Sequence, residues 1–269
     1  MNDLQNMTIY ELEDFYSKKI LGHTRPTMKL EFHNLFRVRN VTNEKISNLT
    51  DTSCIWYPDW KNIPEKYHSL NRCSNKGQNF FYASNFLEAT IKEINPNNND
   101  LVLIGIFGMK YQNIKAQAQF AGIDSLKKNA HNKLLQSHIF PTHQDELFEN
   151  EISEIYRKKI SAENEHEYNK SIAFSNILLR NDEINCLVYP SVASNLEFEN
   201  YGLKPEFVDT NMYCERIYLY RVERNKNEIK LTAEKYGLIS IDKDNPKFSS
   251  INWQENDPKE DKILLKYSI

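Results

Sequence analysis

Three short segments carry the side chains from which a binding or catalytic site could be built. They are LFRVR at 35–39, RCSNKGQNFFYAS at 72–84 with FLEATIKEI at 86–94, and VYPSV at 188–192 with NYGLKP at 200–205. An arginine guanidinium binds a phosphate through two parallel hydrogen bonds. A carboxylate stabilises positive charge that develops during bond cleavage, and an aromatic face suits a flat ring. Arg, Tyr, Glu and Ser are therefore a sufficient set for metal-free chemistry on a phosphorylated, ring-containing ligand.

The order and spacing of these segments resemble the RES family, whose proteins are named after an Arg, a Glu and a Ser. Members of that family begin with a Tyr/Phe-Arg-Val strand and continue with Gly-Arg-Phe-Asn-Pro-x-Gly, a Tyr and a helix ending in Ala-x-x-Glu-Val. Tyr-Pro-Ser-Val and Asn-x-Ala-Leu-x-Pro follow later. The matching positions are Arg37, Arg72, Gly77, Tyr82, Glu93, Ser191, Asn200, Leu203 and Pro205.

The resemblance extends over about two thirds of the chain, from Lys29 to Pro205. The sequence departs from the family pattern directly after the second arginine. Ser74 stands where the family has Asn, and Asn75 and Lys76 stand where it has prolines. A looser loop is expected there.

The resemblance implies an α+β fold with an ADP-ribosyltransferase-like mixed sheet core and flanking helices. It implies an enzyme that consumes NAD as a substrate and cleaves the bond between nicotinamide and ribose, in the manner of bacterial toxins. Catalysis falls to Arg72, Glu93 and Ser191. Binding of NAD falls to Arg37, Tyr82, Gly77 and Asn200.

Three acceptors and one rival function are compatible with the sequence. Water as the acceptor makes the enzyme a glycohydrolase, inorganic phosphate makes it a phosphorylase, and a protein side chain makes it an ADP-ribosyltransferase. The rival is a non-catalytic protein on the same fold that binds NAD, another nucleotide or only protein partners. Release of free nicotinamide from NAD distinguishes the enzyme from this rival.

Composition and absent motifs exclude several other classes. A net charge of −3 gives no basic footprint for nucleic acid. No glycine-rich dinucleotide or phosphate loop and no metal-ligand spacing occur, so a metal is not expected. Four scattered cysteines, a start unlike a signal peptide and the lack of an apolar run of ~20 residues predict a cytoplasmic protein without membrane contact. Secretion by a route that uses no signal peptide is left open. The expected partners are NAD and a protein antitoxin or immunity partner supplied in trans, and a homodimer is left open.

Hydrophobic periodicity predicts interspersed helices and strands. Helices are predicted at 8–20, with a Thr8–Glu11 capping box, and at 86–94, 123–138, 144–158 and 163–180. Strands are predicted at 29–39, 79–83, 101–109, 186–189 and 213–223, with 229–233 as a partner of the last. The predicted organisation is a helical arm at 1–28, a catalytic domain at 29–210 and a C-terminal β extension at 211–269 packed on the same domain.

Overall fold

Helices and strands are interspersed along the chain, so the predicted mixture of α and β structure is confirmed. The computed structural model describes residues 4, 6–23, 25–65, 68–129, 142–226, 228–255 and 266–268. The helices in these ranges are α1 Ile9–Ile20, α2 Leu87–Ile94, α3 Ile123–Asn129, α4 His143–Arg157, α5 Tyr168–Leu179 and α6 Pro205–Asn211. The strands are β1 Met28–Leu30, β2 Leu35–Asn40, β3 Phe81–Ser84, β4 Leu101–Met109, β5 Ala116–Phe120, β6 Cys186–Pro190, β7 Glu199–Leu203, β8 Met212–Arg224, β9 Glu228–Ser240, β10 Ser250–Glu255 and β11 Lys266–Ser268.

The chain forms two compact units, each assembled from separate stretches of sequence. Unit one comprises residues 1–30, 58–81 and 115–204, and unit two comprises residues 31–57, 82–114 and 205–269. The predicted arm at 1–28 therefore belongs to unit one, and the predicted extension at 211–269 belongs to unit two. The predicted catalytic range of 29–210 contributes to both units, because strand pairing joins stretches that are distant in sequence.

Unit one holds four strands in the order β1-β5-β6-β7. β5 and β6 run parallel, whereas the β1–β5 and β6–β7 pairs are antiparallel. β6 and β7 are buried along their whole length, which suits strands covered on both faces. The loop that joins β6 to β7 therefore begins and ends on buried strands of this unit.

Helix α1 begins at a capping box and packs on α5. The Thr8 hydroxyl accepts a hydrogen bond from the Glu11 N–H, and the Glu11 carboxylate accepts one from the Thr8 N–H. The ring of Tyr16 meets the ring of Phe174 edge-on, with 5.9 Å between centroids. The predicted cap is confirmed, and aromatic packing anchors the arm to unit one.

Unit two is an antiparallel sheet in the order β3-β2-β4-β8-β9-β10, to which β3 belongs from Tyr82 onward, with β11 paired to β9. β4 lies between β2 and β8, and its seven inner residues are buried, so the predicted central strand is confirmed with its predicted bounds. Helix α2 packs against β2 and contributes Leu87 and Ile91 to the core of this unit. The predicted pairing of β8 with the following strand is also confirmed.

The structure corrects three sequence-based element assignments. The strand predicted at 29–39 is two strands, because β1 pairs with β5 in unit one and β2 pairs with β4 in unit two. The helix predicted at 163–180 begins with a 3-10 turn at Ala162–Glu167 and continues as α5. The sequence did not predict β5, β7, β10, β11 and α6, since these elements are short or carry polar residues that hide their periodicity. Of the helix predicted at 123–138, residues 130–138 lie outside the described residues.

No helix in the described ranges combines the length and the apolar character needed to cross a bilayer.

Candidate functional site

Arg72 extends a partly buried guanidinium into unit one. Its Nη2 donates a hydrogen bond of 2.8 Å to the Lys158 carbonyl, and the guanidinium carbon lies 5.7 Å from the centroid of the Tyr168 ring. The Ser175 hydroxyl donates to the Arg72 carbonyl at 3.3 Å and holds the backbone. Nη1 is buried and has no hydrogen-bond partner among the described residues. A buried cationic N–H in this state is costly unless an acceptor arrives, so Arg72 is suited to bind an anion.

Gly77 lies in an exposed turn that follows Arg72. Its φ is +73°, a left-handed conformation that glycine adopts without steric cost. A Cβ at this position would also lie 3.2 Å from His68 Nδ1. The turn is closed by a hydrogen bond from the Gln78 N–H to the Asn75 carbonyl. The glycine is therefore explained by backbone geometry, and its assigned contact with NAD stays a prediction.

Ser191 and Asn200 lie at the same end of the β6–β7 pair. Ser191 is fully buried, and its N–H donates to the Phe198 carbonyl at 2.9 Å. Its own carbonyl accepts hydrogen bonds from the Leu196 N–H and from the Ser194 hydroxyl. Asn200, also buried, is the second residue of β7. The structure thus brings these two predicted residues together. The backbone hydrogen bonds of Ser191 hold the 191–198 loop closed.

The segment that carries Arg72 packs on β7. A Cβ built on Gly202 would lie 2.4 Å from the Phe80 ring and 3.4 Å from the Cys73 sulfur. The close approach requires glycine at this position. It also places the neighbour of Arg72 against the strand that contains Asn200.

Arg37 and Tyr82 meet in unit two through a backbone contact. The Arg37 Nη1 donates a hydrogen bond of 2.9 Å to the Tyr82 carbonyl, and its Nε donates one of 2.9 Å to the Ile55 carbonyl. Both residues are half-buried. Two of the five N–H donors of this guanidinium thus hold strands and loops together. Arg37 has a structural role, and its assigned contact with phosphate stays a prediction.

The two carboxylates of α2 have different surroundings. Glu93 is exposed near the end of the helix. Glu88 is half-buried and pairs with Lys92 at 2.7 Å, one turn further along. Glu88 is therefore held in an ion pair along the surface of α2, whereas Glu93 lies one turn further on at the exposed end.

The predicted site residues fall into two groups, one in each unit. Unit one holds Arg72, Gly77, Ser191 and Asn200, and unit two holds Arg37, Tyr82 and Glu93.

A buried ion pair in unit one escaped the sequence analysis. Arg25 Nη1 lies 2.9 Å from Glu149 Oε1, and their side chains are 7% and 6% exposed. Arg25 Nη2 donates to the Phe120 carbonyl at 2.5 Å, and its guanidinium carbon lies 5.1 Å from the Phe174 centroid. One signal was present: Glu149 shares a helix face with the apolar Ile152. Nothing near Arg25 in the sequence identifies it as buried.

Two guanidinium groups influence the buried hydroxyl of Tyr156. Burial raises the pKa of Tyr156 well above its ordinary value, while the charges of Arg25 and Arg72 act in the opposite direction. The hydroxyl contacts the Ser171 carbonyl at 3.0 Å and the Ser175 hydroxyl at 2.6 Å. Tyr156 is therefore a neutral hydrogen-bonding group in this positively charged part of unit one.

No group of three or more His, Cys, Asp or Glu in the described ranges is arranged to hold a metal ion. Comparison with models of known protein families finds no match to this chain, and comparison with curated proteins finds none either.

Proposed function

We propose that this protein degrades NAD by cleaving the bond between nicotinamide and ribose, on a fold of the ADP-ribosyltransferase type. The resemblance of its motifs to the RES family suggests the substrate. The observation that carries the proposal is the buried Nη1 of Arg72, which has no hydrogen-bond partner among the described residues. The resemblance places Arg72 among the catalytic residues, and a pyrophosphate is the anion of NAD that its guanidinium could bind.

The chemistry requires little from the protein beyond charge and position. The nicotinamide ring of NAD is cationic and leaves as a neutral molecule, so no general acid is needed. Positive charge develops on the ribosyl ring, and a carboxylate stabilises it, as in glycosidases. We assign this charge stabilisation to Glu93 and the binding of the pyrophosphate to Arg72.

The other predicted residues take supporting roles. Tyr82 stacks on a ring of NAD, and Arg37, which donates a hydrogen bond to the Tyr82 carbonyl, contacts a phosphate. Asn200 binds the substrate, and Gly77 allows the backbone to approach it. Ser191 orients the substrate through the 191–198 loop that it closes.

Release of nicotinamide from NAD by the purified protein tests this function. Arg72→Ala should raise KM about 10–100-fold, because the pyrophosphate is present in the ground state and the transition state alike. Arg72→Lys is the matched variant, which keeps the charge but loses the planar fork. Glu93→Gln keeps the shape and should lower kcat about 10²–10³-fold.

Glu88→Gln is the control on the same helix. The substitution removes the ion pair between Glu88 and Lys92, which contributes about 0.2–0.5 kcal/mol to the helix. It should leave nicotinamide release unchanged. If Glu88→Gln loses activity and Glu93→Gln keeps it, the alignment of α2 with the helix motif of the RES family is out of register. A folded wild-type protein that leaves NAD intact would overturn the enzyme and favour the nucleotide-binding rival.

The acceptor and the partner follow from the same assay. ADP-ribose as product identifies water as the acceptor, a phosphorylated ADP-ribose identifies phosphate, and labelled protein identifies a side chain. NAD loss in the producing cell must be restrained, so we propose a protein partner that covers the site near Arg72. Such a partner should suppress nicotinamide release in proportion to its binding.

A further inference from the structure

Unit one contains a cavity between helices α1, α4 and α5, with a volume of about 260 Å³. Leu4, Tyr16 and Ile155 form the apolar part of its wall. Three carboxylates, three basic side chains and an amide form the rest. None of these residues has a role in the proposed cleavage of NAD, so that function does not explain the cavity.

Each carboxylate at the cavity has a cation of its own. The pairs are Lys19–Glu151, Arg157–Glu154 and Lys158–Glu167. His166 and Lys170 also line the cavity, and neither forms an ion pair with another described residue. Their charges only add to the hydrogen bond from Lys158 in lowering the pKa of Glu167. The wall therefore carries an excess of positive charge where α5 begins.

The composition of the wall selects a small organic carboxylate with an apolar body. Lys170 offers a point charge, whereas the bidentate recognition of phosphate is typical of arginine. The three carboxylates of the wall repel a dianion more strongly than a monoanion. Burial raises the pKa of Tyr16 to about 12, so this residue presents a neutral surface. The cavity is smaller than the ~300–1,000 Å³ of typical ligand sites, and a molecule with a single ring suits it.

The backbone that forms this wall also holds Arg72. The Lys158 carbonyl accepts the hydrogen bond of 2.8 Å from Arg72 Nη2, and the Tyr168 ring lies 5.7 Å from the guanidinium carbon. The residues on either side of Tyr168, Glu167 and Asn169, line the cavity. A ligand that fixes the position of this wall therefore also fixes two contacts of Arg72.

We propose that this cavity binds a small organic carboxylate and that its occupation regulates the anion site at Arg72. The regulation rests on the proposed function, whereas the binding of the carboxylate does not. The carboxylate lies against Lys170, and the apolar body packs on Tyr16 and Ile155. A ligand that orders the wall raises the affinity for NAD, and NAD raises the affinity for that ligand by the same factor.

Probes that differ in charge test the class of ligand on the full-length protein. Phenylacetate is an anion, phenylethanol is neutral and phenylethylamine is a cation. In NMR titrations, phenylacetate should bind with a Kd of about 1 mM, and phenylethanol should bind about tenfold more weakly. Phenylethylamine and the dianion phenyl phosphate should also bind more weakly than phenylacetate. Equal or tighter binding of the amine or the phosphate would overturn the assignment of a carboxylate.

Lys170→Gln tests the position of the carboxylate. The substitution removes the excess charge, so phenylacetate should bind about tenfold more weakly while phenylethanol binds as before. Lys159→Gln is the matched control, since Lys159 is exposed, follows Lys158 directly and is not among the residues that line the cavity. It should bind phenylacetate as the wild type does.

Ile155→Trp tests the cavity itself. The larger side chain fills the space from a half-buried position on α4, so binding of both phenylacetate and phenylethanol should be lost. Thermal melts establish whether each variant is folded. If Ile155→Trp does not fold, the comparison of Lys170→Gln with Lys159→Gln decides the matter.

The regulation is measured as the effect of saturating phenylacetate on nicotinamide release. KM for NAD should fall about fivefold in the wild type and in Lys159→Gln, and it should not change in Lys170→Gln at the same concentration. If phenylacetate binds through Lys170 and KM for NAD stays the same, the regulation is overturned.

The remaining outcomes separate the site from the function. A wild type that does not bind phenylacetate, or that binds it no better than Lys170→Gln does, overturns the site. A wild type that binds phenylacetate through Lys170 and releases no nicotinamide supports the site and overturns the proposed function, and the regulation with it.

Discussion

The buried ion pair between Arg25 and Glu149 offers a direct test of how unit one is packed. Glu149→Ala removes the carboxylate and leaves the guanidinium of Arg25 in an almost dry site, facing the Phe120 carbonyl and the Phe174 ring. Burial lowers the pKa of Arg25 and raises that of Glu149, so each charge needs the other. Removing one partner of a buried pair costs about 3–5 kcal/mol.

The expected loss in melting temperature follows from the size of the chain. For a chain of this length, about 2 °C is lost per kcal/mol, so Glu149→Ala should melt about 6–10 °C below the wild type. The assay is thermal unfolding followed by circular dichroism, with urea unfolding to obtain the free energy. The double variant Arg25→Met/Glu149→Leu should recover most of the loss, because an apolar pair of similar volume replaces two desolvated charges.

Glu154→Ala is the control on the same helix. Its carboxylate is 69% exposed and pairs with Arg157 at 2.6 Å, a surface contact worth about 0–1 kcal/mol. If Glu149→Ala loses no more stability than Glu154→Ala, the pair is not desolvated as described. If the double variant is less stable than Glu149→Ala, the cost belongs to lost packing and not to the unpaired charge.

Three further outcomes are expected. Because the sequence contains no metal-ligand motif, nicotinamide release should be indifferent to EDTA, and loss of activity restored by one added metal would refute the metal-free mechanism. None of the four free cysteines should react with a thiol reagent within minutes in the native protein at pH 8, since burial raises the pKa of Cys54 and of Cys73 to about 12 and the thiolate is the reactive form. Labelling becomes complete on unfolding, and rapid native labelling would contradict the burial. Thr8→Ala should lower the free energy of unfolding by about 1 kcal/mol and Thr8→Ser should not, because only alanine removes the hydroxyl that caps α1.

The sequence alone predicted the features that depend on residues close together in the chain. The capping box of α1 joins residues three positions apart, and its formation needs no partner from elsewhere. The bounds of β4 followed from a continuous apolar run that polar residues and turns enclose. Hydrophobic periodicity likewise predicted α2 and α4 to within one residue, because each buries one face along its whole length.

The sequence alone did not predict the features that depend on contacts between residues far apart in the chain. Nothing local distinguishes the part of 28–40 that pairs with β5 from the part that pairs with β4. β7 was missed because its burial comes from neighbouring strands and not from an apolar sequence.

The site shows the same division between local and distant information. The chain itself determined the types and order of Arg37, Arg72 and Ser191, and with them the class of chemistry to consider. Only the tertiary structure decided that Arg37 donates to a carbonyl 45 residues away and that Arg72 keeps a buried donor. Burial and desolvation depend on what surrounds a side chain, and a single sequence does not state those surroundings.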